Sequence, residues 1–135
     1  MREVADGIVV EAVIVEDPEA VLPLLGGKVQ LVRAKCYQEV VHAAILARRA
    51  FERKTNHAKT LGGELLLRLA GTLQISDAIK ARGVGKGLNY LVVFGTGDEA
   101  EEVVKRLGLS STLPIQCTEE EAKIYFEKSA LVEVL

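Results

Sequence analysis

The chain has 135 residues, 49% of them hydrophobic but only 4% aromatic, and a formal net charge of −2. This length accommodates one domain, residues 1–135, around an aliphatic core of Val, Leu, Ile and Ala that needs no staples. No apolar run reaches the roughly 18 residues of a membrane-spanning helix, and Met1-Arg2-Glu3 leads into acidic sequence where a secretory leader would turn apolar, so a soluble, cytoplasmic protein with no membrane partner is expected.

Gly7 to Val15, GIVVEAVIV, is dense in β-branched residues and predicts a largely buried strand. Asp17-Pro18-Glu19 combines an N-cap, a residue preorganised for the first helical position and an acid at the positive helix end. A short helix should run from it to Leu25, where Gly26-Gly27 stops it. Val29 to Ala34 alternates apolar and polar residues and predicts a second strand. Tyr37 to Lys54 is the longest helical pattern: Tyr37, Val40, Ala44, Ala47 and Phe51 recur at steps of three and four, and Val41 and Ile45 widen the stripe. His42, Leu46, Arg49 and Arg53 form a neighbouring face, with two guanidinium groups near the helix C-terminus, where the dipole also favours them.

Leu61 to Ala70 is helical by spacing, weakened at its start by Gly62-Gly63 and ended by Gly71. Ser76 is expected to cap a short helix that Gly83 ends. Gly85-Lys86-Gly87 is a turn, and Asn89 to Gly95 is the clearest internal strand. Asp98-x-x-Glu101 and Thr118-x-x-Glu121 both read as capping boxes, the first opening a helix that stops at Gly108, the second a helix reaching Lys128. Pro114 to Cys117 is expected as a short edge strand. The apolar tail ALVEVL extends the last helix or pairs as a strand.

Helices follow one another between the second and third clear strands, which argues against a doubly wound parallel sheet. The expected fold is mixed α/β (α+β): a small, mainly antiparallel sheet of about three to four strands packed with about five to six helices. Cys36 and Cys117 have no neighbouring His or Cys to complete a ligand set, so no metal site is expected, and intracellular redox conditions predict two free, buried thiols.

Gly83-Val84-Gly85-Lys86-Gly87 lacks the spacing of a phosphate loop and precedes a strand instead of a helix, so it reads as turn chemistry. Gly95-Thr96-Gly97-Asp98 does sit between a strand and a helix, where amides can hold an anion. Asp98 at the helix start repels phosphate, and a tight turn with an N-cap is the simpler reading. His42 and His57 lie in no nucleophile context; His57 with Glu64 is the remaining pair for proton transfer. The acids otherwise fall in capping positions and on helix faces, not in a catalytic pair. Neither an enzyme nor a cofactor is expected.

Charge is distributed unevenly. Residues 1–27 carry one Arg against six acids, residues 28–86 twelve Lys and Arg against four acids, and residues 87–135 four against nine, for balances of −5, +8 and −5. A basic middle of this kind can steer a polyanion. Its densest run is Arg48, Arg49, Arg53, Lys54, Asn56, His57 and Lys59, opposed only by Glu52. The cations suit phosphates, and Asn56 and His57 can hydrogen-bond to or stack on an unpaired base. The competing reading is a solvated charged face, and the lack of interleaved aromatics argues against an extended single-strand platform.

From Lys59 onward the order of residues becomes specific: Lys59-Thr60-Leu61, then Glu64-Leu65-Leu66, Gly71, Gln74-Ile75-Ser76-x-Ala78-Ile79 and Gly83-Val84. This run resembles the kinase-associated small subunit of the KEOPS/EKC complex, the family of the PRPK-binding protein, in its archaeal branch. The resemblance implies a non-catalytic protein that binds the N-terminal lobe of a small atypical kinase and, through it, the other subunits. It also implies a role in making threonylcarbamoyl-adenosine beside the anticodon of transfer RNA, with recognition of the single-stranded CCA 3′ end of that RNA. Lys59, Arg68, Gln74 and Ile75 fall in the matching run and become RNA-contact candidates; Arg49, Arg53, Lys54, Asn56 and His57 join them on charge and spacing. The apolar side of the helix from Asp98 to Leu107 and the ALVEVL tail are candidate kinase faces. The alternatives are a kinase-binding scaffold without RNA contact and an anion-binding module at Gly95 to Asp98.

Overall fold

The computed structural model describes residues 2–135. Strand β2, Ile8–Val15, is entered through an antiparallel hairpin from β1, Arg2–Ala5, with Gly7 in the turn at φ +79°. On its other side β2 pairs antiparallel with β4, Gly87–Val93, from Val9 opposite Val93 to Val15 opposite Gly87. Strand β3, Val29–Val32, pairs with the far edge of β4, and β5, Ser110–Ser111, adds to β2 at Val13 and Ile14. The order is β1-β2-β4-β3, and every pairing is antiparallel. The expected mainly antiparallel sheet is present, with five strands among the described residues.

Both faces of this sheet are buried, which is why β2 reads as an almost unbroken apolar run. Ile8, Val10, Ala12, Tyr90 and Val92 face α2 (Tyr37–Glu52) and α3 (Leu61–Ala70), meeting Val40, Ala43, Ala44, Ala47, Leu65 and Leu69 in one core. Alternate residues Val9, Val13, Val15, Leu91 and Val93 point the other way, with Leu31, and meet Ala100, Val103 and Leu107 of α5 (Gly97–Leu107) in a second core. Helix α6, Glu119–Leu131, packs on α2 and α3, and α4, Ile75–Arg82, lies beside α3. The first helix, α1, is short, Pro18–Val21, with the Asp17 side chain accepting from the Ala20 amide. A 3₁₀ turn, Leu22–Leu24, continues it.

Several local expectations need correction. The box that opens α5 is Thr96 with Glu99, two residues before Asp98 and Glu101, whereas Thr118 with Glu121 caps α6 as expected. The N-cap of α4 is Gln74, so Ser76 lies inside the first turn. Pro114 to Cys117 is not a strand, because its polar groups are tied to the start of α2 and to the Tyr90 side chain of β4. Ile115 accepts from the Tyr37 amide at 2.7 Å, the Ile115 amide donates to the Tyr90 hydroxyl at 2.9 Å, and the Cys117 amide donates to Gln38 Oε1 at 2.9 Å. That return path also brings Cys117 onto Cys36, and the two form a disulfide, Cα to Cα 5.4 Å, in place of free thiols. The apolar side of α5 is buried against the sheet and offers no face to a kinase. The tail extends α6 and ends in a 3₁₀ turn, Val132–Val134, leaving Leu131, Val134 and Leu135 exposed.

Candidate nucleic-acid interface

Helix α2 ends in a Schellman motif: the Lys54 amide donates to the Phe51 carbonyl at 3.2 Å and the Thr55 amide to the Ala50 carbonyl at 2.8 Å. Lys54 holds the left-handed position, φ +59°, that glycine usually takes. The chain then loops through residues 55–59 to Thr60, whose hydroxyl accepts from the Gly63 amide at 3.0 Å and caps α3. This loop contains no acid, and Arg53 and Lys54 at its entry and His57 and Lys59 within it are all exposed.

The loop is held from beneath. Glu64, in the first turn of α3, is fully buried, and its Oε1 accepts from the backbone amides of both His57 and Ala58 at 2.8 Å. Its other oxygen takes Arg68, one helical turn on, with Nε and Nη2 each at 3.1 Å. From above, the Asn56 side chain donates to the Ala58 carbonyl at 2.8 Å. Gly62 and Gly63 allow close approach. A methyl group at Gly62 would stand 2.8 Å from Gln30 Oε1, and one at Gly63 would stand 3.2 Å from Ala58 Cβ and 3.8 Å from Ile75 Cδ1. Ile75, at the start of α4, therefore lies beside Gly63, which Ala58 of the loop also approaches. No side chain caps α4, so its first amides are free of the usual competitor for an anion.

The candidates separate into groups by this geometry. Lys54, Asn56, His57 and Lys59 lie in or at the entry of the loop; Ile75 lies beside Gly63, with Gln74 next to it in sequence, and both are exposed. Arg53 caps α2, and exposed Arg49 lies one turn before it. The rest of that face turns inward: His42 stacks on Phe126 of α6, ring centroids 4.3 Å apart. Arg48 donates to the Asp6 carbonyl and pairs with Glu52, which pins the β1–β2 turn. Arg68 has no exposed surface; its guanidinium faces Glu64 and Glu133 inside the protein. Glu64 binds the amide of His57 and not its exposed ring, so the pair is not arranged for proton transfer. The turn before α5 is filled by its own capping box, with the Glu99 carboxylate lying over Gly95.

Glu64 and Glu133 are the residues the sequence reading left out of the site. The signal for the first was present: Glu64 and Arg68 stand at i and i+4 in the run ELLLRL, and opposite charges at that spacing in an apolar helix imply a buried pair. Glu133, 65 residues from Arg68, gave none. Among the described residues no helix is long and apolar enough to cross a membrane.

No family model matches the chain. It is 44% identical over 123 residues to the KEOPS complex subunit Cgi121 of Pyrococcus abyssi (strain GE5 / Orsay), and the match covers 89% of this chain and 72% of the relative. With this identity along most of both chains, the protein belongs to the Cgi121 family of KEOPS complex subunits, in its archaeal form.

Proposed function

We propose that the protein is a non-catalytic KEOPS subunit that binds the small atypical kinase of the complex directly and recruits transfer RNA by its single-stranded CCA 3′ end for threonylcarbamoyl-adenosine modification. The observation that carries the RNA part is the loop of Lys54, His57 and Lys59, free of acids and anchored on Glu64, set against the exposed start of α4 at Gln74 and Ile75. A CCA end offers phosphates, unpaired bases and 2′-hydroxyls, which such a loop meets with cations, amides and an apolar side chain. The overall charge of −2 makes this contact weak and strongly salt-dependent in isolation. Tethering it to a kinase-containing assembly raises the effective RNA concentration without new chemistry at the target base. The exposed apolar residues Leu131, Val134 and Leu135 are the candidate kinase contact.

Titrating the labelled protein with a CCA-ended minihelix tests the assignment. Amide shifts should concentrate in residues 54–60 and in the first turn of α4. Shifts spread evenly over all basic residues, or none, would support the kinase-only scaffold.

A further inference from the structure

The RNA-contact loop is tied to the other end of the chain. Arg68 joins two carboxylates: Glu64, which holds the His57 and Ala58 amides, and Glu133, in the C-terminal 3₁₀ turn, whose Oε1 lies 2.9 Å from Arg68 Nη1. Glu64 and Arg68 are fully buried, whereas the Glu133 side chain is 40% exposed. A buried guanidinium must satisfy its donors inside the protein. With Glu133 in place, Arg68 directs Nη1 to the C-terminal turn, and Glu64 keeps Oε1 for the loop. Without Glu133, Nη1 loses its carboxylate partner at the edge of the buried site, and the remaining counterion of the guanidinium is Glu64. The guanidinium is then drawn across both oxygens of Glu64, in competition with the two loop amides.

We propose that Glu133 is a positioning residue: through Arg68 and Glu64, the C-terminal turn sets the conformation in which the loop presents Lys54, His57 and Lys59. The consequence for RNA rests on the function proposed above; the control of the loop does not. Simple electrostatics predicts the opposite effect on RNA. Removing an acid makes the protein one unit more positive and should strengthen its hold on a polyanion, whereas loss of positioning weakens it.

The test is Glu133→Gln alongside Glu133→Ala, both of which leave the buried Val132 in place. Hydrogen exchange at the His57 and Ala58 amides should accelerate about tenfold relative to the amides of Ala43 and Ala44, which report global opening. Affinity for a CCA-ended RNA should fall about three- to tenfold with no change in salt slope, because no cation is lost. Unchanged exchange at His57 and Ala58, or RNA binding that is equal or tighter, would overturn the proposal. If the wild-type protein fails to distinguish intact from trimmed RNA, the RNA function falls, and the exchange rates alone decide whether Glu133 controls the loop.

Discussion

Arg82 grips Glu39 with both terminal nitrogens, Nη1 to Oε1 at 2.7 Å and Nη2 to Oε2 at 3.1 Å, and both side chains are buried. The pair fastens the last turn of α4 to the first turn of α2, and Glu39 Oε1 also accepts from the Lys35 amide at 2.8 Å. Through it, the helix that carries Gln74 and Ile75 is held in register with the helix that leads into the loop. Glu39→Ala would strand a buried guanidinium, so it should cost about 3–5 kcal/mol in denaturant unfolding. A cost near zero would mean that water replaces the carboxylate.

Lys54 is held in a backbone region where a side chain costs about 1–2 kcal/mol. Replacing it by glycine relieves that strain but loosens the unfolded chain, so Lys54→Gly should stabilise the fold by about 0.5–1 kcal/mol. If the charge contacts a phosphate, the same change weakens RNA binding and reduces the salt slope by about 0.7. Opposite movement of stability and affinity identifies a position kept for function. Movement of both together would make Lys54 a structural residue only.

The disulfide between Cys36 and Cys117 closes a separation of 81 residues. Restricting the unfolded chain over a loop of that length is worth roughly 4–5 kcal/mol by closure entropy. The Cys36→Ser, Cys117→Ser pair should lower stability by up to that amount. It should also loosen the 112–118 segment, which hydrogen exchange at the Ile115 amide would report. A thiol titration that finds two free cysteines in the purified native protein would contradict the bridge.

His42 supplies a pH dependence. Its burial beside Phe126 lowers the imidazole pKa below the ordinary 6.5, opposed by a backbone hydrogen bond at Phe126 and reinforced by the nearby charge of Arg49. The unfolded chain therefore takes up a proton more readily than the folded one. The stability contributed by the neutral ring is complete above 6.5 and is lost as pH falls through that value towards the lower folded one. Between about pH 7 and about pH 5, the wild type should lose more stability than His42→Leu, as read by urea midpoints. Parallel losses would place the titration elsewhere.

The parts of the fold that local chemistry dictates were legible before the structure. The β-branched run at Ile8 and the Thr118 capping box depend on neighbours a few residues away, and both appear where expected. Thr96 displaced Asp98 because the same box pattern occurs twice within three residues, and the earlier threonine has the extended backbone of a cap, φ −83° and ψ 166°. Strands of four and two residues, β1 and β5, carry too few apolar positions for a period to register. Arg68 was legible as a cation but not as a buried one, since one of its two partners comes from the far end of the chain. The disulfide was hidden for the same reason of sequence distance, since Cys36 and Cys117 lie 81 residues apart and neither has a neighbour that marks it as bridged.

The loop around Lys59 is proposed to read the 3′ end of transfer RNA. Its most direct test is the affinity of the protein for one transfer RNA with an intact CCA end and for the same RNA trimmed of it, at one low salt concentration, with wild type and Lys59→Glu. Trimming and charge reversal should each weaken binding, and Lys59→Glu should no longer distinguish the two RNAs. Equal binding of both RNAs by the wild type would contradict it and leave only non-specific attraction of charge.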